Sequence, residues 1–345
     1  MSRIEEFTAI QGVCAWPNLQ RLADGTLVAF IWNQPCHGLW EGDLDCWASE
    51  DDGGTWRLRS RVAQHEPGTA RMNCAAGFAR NGDLIVLCSG WDKCPPVGSP
   101  HKGTRHIMRP WICRSPDGCR TWDVTDDFPD PPAGRKVMGT AIVPFGNLAA
   151  AADGSLCVAA YLKQGTEREC YLLRSRDDGR TWGEPAVLNP QGNETTILHL
   201  GGGRWLASSR NNQHEMSGIV ELCTSEDDGH TWQRSKPLTM PGQVTSHLMR
   251  VQDGRVLLSY GNRNWGNFGV DVRFSEDEGG SWGPPIRIAS TPQQDCGYPS
   301  SVQLPDGRLV TAYYTSISRD YHYEMRVARW NPDDFLTEGR PVDGW

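Results

Sequence analysis

Four side chains in this sequence have types that suit chemistry on an anionic substrate. Tyr298 becomes a phenolate-like nucleophile if a carboxylate such as Glu194 removes its proton, and a neutral phenol approaches an anion with little repulsion. Arg210 and Arg263 carry planar guanidinium groups, whose paired donors suit a carboxylate or a phosphate. These residues are far apart in the sequence, so the chemistry requires a fold that brings them together.

The overall composition limits the class of protein. The 345 residues include 34 basic and 42 acidic side chains, a net charge of −8 without runs of like charge, which argues against nucleic-acid binding. No apolar run approaches the roughly 20 residues of a membrane span, so we expect no transmembrane segment. The first ten residues contain Glu5 and Glu6 and lack the apolar stretch of a secretion signal. We therefore expect a cytoplasmic protein.

The 12 cysteines are spread singly, with neither a C-x-x-C motif nor a Cys/His cluster at zinc spacing. This distribution predicts buried free thiols rather than a disulfide framework. The sequence also lacks the G-x-S-x-G, H-E-x-x-H and phosphate-loop motifs. We expect neither a metal ion nor another cofactor.

An octapeptide that recurs five times indicates the architecture. Four copies fit S-x-D-x-G-x-[TS]-W, and one has Cys119 where Gly is expected. The copies span residues 49–56, 115–122, 175–182, 225–232 and 275–282. Each copy is expected to form a turn between strands, in which the Asp accepts backbone N–H groups, the Gly takes a positive φ and the Trp packs against the neighbouring sheet.

A second pattern, of two apolar runs joined by a Gly-containing turn, occurs six times and is typical of β-hairpins. Its turns are Asp24-Gly25, Asn81-Gly82, Asp153-Gly154, Gly202-Gly203, Asp253-Gly254 and Asp306-Gly307. Each unit then contains about four strands, which predicts an all-β, six-bladed β-propeller in a single domain over residues 1–345. The sixth unit lacks the octapeptide, so we expect a strand near residues 4–13 to complete it.

Alternating strand directions separate two rims in such a propeller. The hairpin turns and the octapeptides lie on one rim, whereas the longer loops and the entries to the first strands lie on the other. Glu194, Arg210, Arg263 and Tyr298 all fall on this second rim. We therefore expect any functional site there.

The octapeptides resemble the Asp-box (BNR) repeats of the sialidase superfamily, and the resemblance covers nearly the whole chain. Sialidases bind the sugar carboxylate with three arginines, use a Tyr nucleophile activated by a Glu, and protonate the leaving group with an Asp. The resemblance implies that Tyr298 is the nucleophile, that Glu194 is its base, and that Arg210 and Arg263 are the second and third arginines. A base must reach the proton that it removes, so we expect Glu194 within hydrogen-bond distance of the Tyr298 hydroxyl.

The sequence departs from the family pattern at the first arginine. Residues 15–17 read Ala-Trp-Pro where the family has an Arg-Ile-Pro motif, so one carboxylate ligand is missing. Arg105 or Arg109, on the long loop of the second unit, could replace it from another direction. Trp16 itself is a candidate for stacking on a sugar ring.

The acid that protonates the leaving group is not settled by the resemblance. The loop of the first unit offers Glu41, Asp43 and Asp45, of which Glu41 lies nearest the expected position. Histidines of the second rim are candidates for substrate contact or proton transfer near neutral pH. They are His106, His214, His247 and His322, of which His247 stands at the entry to a first strand.

Three functions are compatible with these features. The first is a sialidase-type glycosidase acting on a terminal acidic sugar. The second is a lyase or hydrolase of uronic-acid glycosides, in which two arginines hold the uronate and a His or Tyr moves the proton; it better fits the missing first arginine. The third is a carbohydrate-binding propeller without turnover. The expected partner is an acidic sugar or glycoside, and the sequence leaves the oligomeric state open.

Overall fold

The computed structural model describes residues 3–100, 103–133, 141–164, 167–212, 218–318 and 322–335. Within these ranges the chain forms 24 β-strands and one short 3-10 helix, Pro332–Phe335. The first eight strands are β1 (Ile4–Gln11), β2 (Cys14–Arg21), β3 (Leu27–Trp32), β4 (Leu44–Ser49), β5 (Arg57–Ala63), β6 (Ala70–Phe78), β7 (Leu84–Trp91) and β8 (Ile107–Ser115). The next eight are β9 (Asp123–Thr125), β10 (Val143–Ala150), β11 (Leu156–Gln164), β12 (Glu167–Ser175), β13 (Gly183–Asn189), β14 (Gly192–Gly201), β15 (Arg204–Asn211) and β16 (Ile219–Ser225). The last eight are β17 (Gln233–Pro237), β18 (Gln243–Arg250), β19 (Val256–Asn262), β20 (Gly269–Ser275), β21 (Ile286–Ser290), β22 (Cys296–Gln303), β23 (Leu309–Ser318) and β24 (His322–Trp330).

Hydrogen bonds between these strands define five sheets. Four sheets have four strands each, in the orders β2-β3-β4-β5, β14-β15-β16-β17, β18-β19-β20-β21 and β1-β24-β23-β22. The fifth has eight strands in the order β13-β12-β11-β10-β6-β7-β8-β9, because β6 and β10 pair in parallel through Ala75 with Gly146 and Ala76 with Asn147. The prediction of an all-β propeller arrangement is confirmed. The strands are not divided into six separate four-stranded sheets, since this parallel pair joins two groups of four.

Six strands line the centre of the molecule. In the order β2, β6, β10, β14, β18 and β22, each strand contacts the next, and β22 contacts β2. The strands therefore form a closed ring. The N-terminal strand β1 pairs antiparallel with β24, with Ile4 opposite Trp330, as predicted for the segment that completes the last group. This closure holds the ends of the six central strands close together.

Apolar side chains fill the space between neighbouring sheets. Phe30 of β3 and Val86 of β7 belong to one buried cluster, and Leu257 of β19 and Tyr313 of β23 belong to another. The middle strands are covered on both faces, and all six residues of β3 are buried. Burial of apolar surface contributes about 25 cal/mol per Å², so these contacts stabilise the rigid frame on which the central loops stand.

The octapeptides form the predicted turns. In the first copy the Asp51 carboxylate accepts the Thr55 N–H at 2.8 Å, and the Trp56 indole donates to the Gly53 carbonyl at 2.9 Å. Gly53 takes a φ of +82°. Cys119 holds the corresponding position in the second copy and takes a φ of +67°, so the turn keeps its geometry without glycine.

The cysteine prediction is also confirmed, since all 12 cysteines are buried and free. In the part of the chain that the structure describes, no helix has the length and apolar character needed to span a membrane.

Candidate active site

A cavity of about 290 Å³ lies at the starts of the central strands β2, β6, β14 and β22. Its wall combines aromatic rings with polar and charged groups. The lining residues are Trp16, His37, Gly38, Met72, Asn73, Trp91, Arg105, Tyr161, Lys163, Arg168, Asn193, Glu194, Arg210, Asn212, Arg263 and Tyr298. The structure thus brings together the four residues, from β14, β15, β22 and the end of β19, that the sequence analysis named first.

Tyr298, Glu194 and Arg210 form one hydrogen-bonded group. The Tyr298 hydroxyl donates to Glu194 Oε1 at 2.6 Å. Arg210 Nη1 donates to Glu194 Oε2 at 2.7 Å and to the Tyr298 hydroxyl oxygen at 3.1 Å. The carboxylate is therefore placed to accept the phenol proton, and the guanidinium is placed to stabilise the negative charge that this transfer creates.

The backbone of β22 is irregular where it carries the tyrosine. Tyr298 has a φ of +51°, and the pairing of β22 with β23 shifts in register between Gly297 and Ser300. A Cβ on Gly297 would lie only 2.8 Å from the Cα of Gly261, so this close approach of β22 to β19 requires glycine. Bulges of this kind re-aim a side chain, and here the side chain points into the cavity.

Two other central strands show the same feature. Asn73 of β6 and Thr245 of β18 have φ values of +45° and +24°, each beside a shift in register. Asn73 lines the cavity, and the Thr245 hydroxyl donates to Glu194 Oε2 at 3.4 Å. Non-glycine residues in this backbone region are uncommon and concentrate at functional sites.

The two arginines are held by protein contacts that leave part of each guanidinium available. Arg210 Nε donates to the Asn212 side chain at 2.8 Å. Arg263 Nε donates to the Cys296 carbonyl at 3.0 Å, and its Nη2 donates to the Tyr314 hydroxyl at 2.7 Å. Arg210 Nη2 and Arg263 Nη1 have no hydrogen-bond partner among the residues that the structure describes. These two nitrogens can donate to an anionic ligand.

Positive charge predominates on the cavity wall. In the described part of the chain, the lining side chains of Arg105, Lys163, Arg168, Arg210 and Arg263 are cationic, whereas Glu194 is the one carboxylate. The loss of water around Lys163, followed by the charge of Arg168, lowers the pKa of the Lys163 ammonium. The crowding of like charges in an enclosed space favours the entry of an anion.

The same electrostatics act on the Tyr298 and Glu194 pair. Burial, and then the neighbouring carboxylate, raise the pKa of Tyr298 well above its ordinary value. Burial alone would raise the pKa of Glu194, but Arg210, the Tyr298 hydroxyl and Arg263 outweigh it, and the pKa of Glu194 is lowered. At neutral pH the resting pair is therefore a carboxylate and a phenol. This is the state in which the base is ionised and has not yet removed the proton.

Two further candidates from the sequence line the cavity. The Trp16 ring lies 5.7 Å from the Tyr298 ring, in the place where the family pattern has its first arginine. Arg105 donates to the Gly38 carbonyl, and its guanidinium lies 5.4 Å from the centre of the Trp91 ring. Arg105 is thus the member of the Arg105 and Arg109 alternative that the fold brings to the site.

Three proposed site residues lie outside this cavity. The Glu41 carboxylate instead accepts a hydrogen bond from the backbone N–H of Gly68 in a nearby loop. Arg109 is turned to the surface, where it pairs with Asp130. His247, on β18, faces a separate cavity of about 20 Å³, and burial lowers its pKa to about 4. The sequence could not separate these residues from true lining residues, since all stand on the same rim.

Two other histidine candidates also lie outside the cavity. His106 contacts Asp92 at 2.9 Å, and His322 contacts the Ser318 hydroxyl at 2.9 Å. His214 lies outside the described residues. Over the described ranges, no group of three His, Cys, Asp or Glu side chains is arranged to bind a metal ion.

Several lining residues were missed by the sequence analysis, namely His37, Tyr161, Lys163 and Arg168. His37 stands in the same loop as Glu41, so the sequence pointed to this loop but to a different side chain of it. Lys163 and Arg168 lie near the ends of the paired strands β11 and β12. No motif marks them, and only the closure of the ring brings them to the cavity.

A family comparison agrees with this architecture. The model of the BNR repeat-like domain matches residues 97–311 of the chain. The chain belongs to the BNR repeat-like family. No curated protein is significantly similar to it in sequence.

Solved structures resemble this BNR repeat-like protein in fold. A protein of unknown function from Dyadobacter fermentans has a TM-score of 0.76 and 20% identity, over 95% of this chain and 99% of the other. The NanB sialidase from Streptococcus pneumoniae has a TM-score of 0.71 and 15% identity, over 93% of this chain and 68% of the other. Trypanosoma rangeli sialidase, solved as a covalent intermediate with 2,3-difluorosialic acid, has a TM-score of 0.66 and 15% identity, over 94% of this chain and 54% of that enzyme. The BNR repeat-like protein therefore has a sialidase-like fold.

Proposed function

We propose that this protein is a glycoside hydrolase that removes a terminal acidic sugar, with Tyr298 as the nucleophile. The observation that carries the proposal is the hydrogen-bonded group of Tyr298, Glu194 and Arg210 in a cavity lined mainly by cations. A phenol without a base is a weak nucleophile, whereas this phenol donates a hydrogen bond to a carboxylate that can remove its proton.

The contacts assign a role to each member of the group. Glu194 Oε1 takes the phenol proton as Tyr298 Oη bonds to the anomeric carbon of the sugar, while the glycosidic C–O bond breaks and the leaving group departs as an alcohol after protonation of its oxygen. Arg210 Nη1, at 3.1 Å from that oxygen, offsets the charge that develops on it. Water then releases the sugar from the tyrosine, and the proton returns from Glu194 to Tyr298.

The charge of the cavity supports an acidic sugar as the substrate. The available nitrogens Arg210 Nη2 and Arg263 Nη1 suit the two oxygens of a carboxylate. Sialidases are among the proteins of similar fold, and one of them is solved with a fluorinated sialic acid bound covalently. A neutral sugar would leave the excess of cations without a counter-charge.

A uronic-acid glycoside is a second candidate substrate for the same site. It is favoured by Trp16, which lines the cavity where the family pattern has its first arginine and contacts the Tyr298 ring. Two arginines rather than three then hold the carboxylate, and the indole offers an apolar face to the sugar ring.

Hydrolysis of aryl glycosides of sialic acid, glucuronic acid, galacturonic acid and neutral glucose tests the proposal. We expect turnover of at least one acidic glycoside and none of the neutral one. Glu194→Gln should lose about 10²–10⁴-fold in kcat because its amide cannot take the proton. Turnover of the neutral glycoside alone, or of no glycoside, would overturn the proposed function. If the enzyme forms an unsaturated product that absorbs in the ultraviolet instead of a hydrolysed sugar, the reaction is that of a lyase.

We also infer how the eight-stranded sheet relates to the propeller. Its halves β6–β9 and β10–β13 each have four strands in meander order, and β6 and β10 both belong to the central ring. Counted as two blades, they bring the total to six around one axis. Under this proposal residues 1–345 form a single domain, and limited proteolysis should leave no stable fragment.

A further inference from the structure

A histidine that the proposed mechanism has not used stands on the cavity wall. His37 lies in the loop between β3 and β4, and its side chain is 39% exposed. Its Nδ1 lies 2.8 Å from Asp295 Oδ2. No hydrogen-bond partner of Nε2 is found in the described part of the chain. One ring nitrogen is thus held by the protein, while the other is available to a ligand.

Asp295 is itself held as an anion by several groups. The Tyr314 hydroxyl donates to its Oδ1 at 2.6 Å, the Tyr323 hydroxyl donates to its Oδ2 at 2.5 Å, and Arg263 Nη2 lies 3.4 Å from Oδ1. Burial opposes ionisation, but His37, Arg263 and the Tyr314 hydroxyl outweigh it and hold the pKa of Asp295 well below its ordinary value. An ionised Asp295 accepts the Nδ1 proton, so in the imidazolium form of His37 the second, transferable proton is on Nε2.

Aromatic contacts place this histidine beside the nucleophile. The His37 ring lies 5.4 Å from the Trp16 ring and 6.0 Å from the Tyr314 ring. Both of these rings also lie 5.7 Å from the ring of Tyr298. His37 and Tyr298 therefore line the same cavity and share two aromatic neighbours, of which Trp16 also lines it.

Among the described residues, the cavity wall offers no second carboxylic acid for proton donation. Glu194 is the one carboxylate among the lining residues that the structure describes, and it is already hydrogen-bonded to Tyr298 and Arg210. Glu41 accepts a backbone N–H outside the cavity. A glycosidase with a tyrosine nucleophile still needs an acid, because an alkoxide is a poor leaving group.

We propose that His37, positioned by Asp295, is the general acid and base of the reaction; this assignment rests on the proposed function. In the first step the glycosidic C–O bond breaks, Nε2–H passes to the leaving oxygen, and Tyr298 Oη bonds to the anomeric carbon while its proton goes to Glu194. In the second step a water proton passes to Nε2, the water oxygen bonds to the anomeric carbon, and Tyr298 leaves and recovers its proton from Glu194. The products are one alcohol and one free sugar, and the enzyme returns to its starting state.

The test compares two glycosides of the acidic sugar that the wild-type enzyme hydrolyses. A 4-nitrophenyl glycoside has an acidic leaving group that needs little protonation, whereas a methyl glycoside needs it fully. We expect His37→Gln and His37→Asn to lose about 10²–10⁴-fold in kcat/KM on the methyl glycoside but less than about tenfold on the 4-nitrophenyl glycoside. The alkaline limb of the wild-type pH profile should disappear in both variants, even though Asp295, Arg263, Tyr314 and Tyr323 remain beside the site.

His106→Gln is the matched control, because His106 also contacts an aspartate but does not line the cavity. It should behave as the wild type on both substrates. Equal losses on both glycosides, or no loss on the methyl glycoside, in a His37 variant with wild-type thermal melting would overturn the assignment and leave the proposed function intact. A wild-type enzyme that hydrolyses neither glycoside would instead overturn the proposed function, and this assignment with it.

Discussion

Tyr298 and Glu194 are joined across the central cavity by a hydrogen bond of 2.6 Å, although they belong to strands β22 and β14 on different sheets. Arg210 Nη1 contacts both residues. A carboxylate, a phenol and a guanidinium in mutual contact form a site that is suited to proton removal and charge stabilisation at one oxygen.

Removal of the Tyr298 hydroxyl should abolish turnover. We expect Tyr298→Phe to lower kcat for the preferred aryl glycoside by at least about 10³-fold, because the atom that attacks the sugar is absent. Tyr260→Phe is the control, since Tyr260 is buried in β19 and does not line the cavity. Steady-state kinetics with both variants measure the effect, and near-wild-type turnover by Tyr298→Phe would exclude the nucleophile role.

The lowered pKa of Glu194 predicts the acid side of the pH profile. The carboxylate is the active form and stays ionised below the ordinary pKa of glutamate, so kcat/KM should be lost only as the pH falls through the lowered value. The measurement is the pH dependence of kcat/KM for wild type, Glu194→Gln and Glu41→Gln. Glu41→Gln should match the wild type because its amide oxygen can still accept the Gly68 N–H. An acid limb that persists in Glu194→Gln would assign it to another group.

The two arginines should bind the carboxylate of the ligand together. Truncation of Arg210 or Arg263 to Ala is expected to cost about 2–5 kcal/mol of binding free energy, because the anion loses a charge-assisted partner in an enclosed site. Arg210→Lys and Arg263→Lys should not restore affinity, since an ammonium cannot reproduce the planar pair of donors. Calorimetry with an acidic-sugar analogue, with surface-exposed Arg109→Lys as control, measures this. Wild-type affinity in both Lys variants would contradict a carboxylate clamp.

Substitution of two glycines, one in an octapeptide turn and one in a hairpin turn, distinguishes the effect of steric clash on stability from the effect of backbone conformation. Gly179 has a φ of +85°, and a Cβ there would lie 2.2 Å from Cδ1 of Ile85, whereas Gly254 has a φ of +96° with no atom within 4 Å of such a Cβ. Gly254→Ala should lower the free energy of unfolding by about 1–2 kcal/mol, from backbone conformation alone. Gly179→Ala should lower the free energy of unfolding by about 1–3 kcal/mol more than Gly254→Ala does, because the new Cβ overpacks against Ile85. Urea unfolding of the two variants measures both free energies. Equal losses of unfolding free energy would show that Ile85 moves aside for the new Cβ without loss of stability.

Burial of His247 predicts a loss of stability in mild acid. Its folded-state pKa is about 4, below the ordinary value of about 6.5, so between these values the unfolded chain binds a proton that the folded chain does not. The free energy of unfolding should therefore fall by about 2–3 kcal/mol as the pH drops from 6.5 to 4. His247→Gln should show a smaller fall over the same range, measured by urea unfolding at each pH. Identical pH dependence in the two proteins would mean that His247 is protonated in the folded state.

The sequence by itself determined the all-β class, the propeller arrangement and the four residues first expected at its centre. These features depend on local chemistry that repeats along the chain, namely Asp and Gly in turns, a Trp at the end of each octapeptide, and apolar runs of strand length. Tyr298, Glu194, Arg210 and Arg263 were identified because recognisable segments carry them.

The tertiary structure decided which rim side chains meet. Glu41 and His37 stand in one loop, but of these two residues His37 lines the cavity and Glu41 does not. The Glu41 carboxylate is instead hydrogen-bonded to a backbone N–H of a neighbouring loop. Hydrogen bonding likewise joined β6 to β10 into an eight-stranded sheet, a pairing that no repeat indicates. The direction of a loop side chain depends on contacts between residues far apart in sequence, such as the 258 positions between His37 and Asp295, and those contacts exist only after the ring of strands has closed.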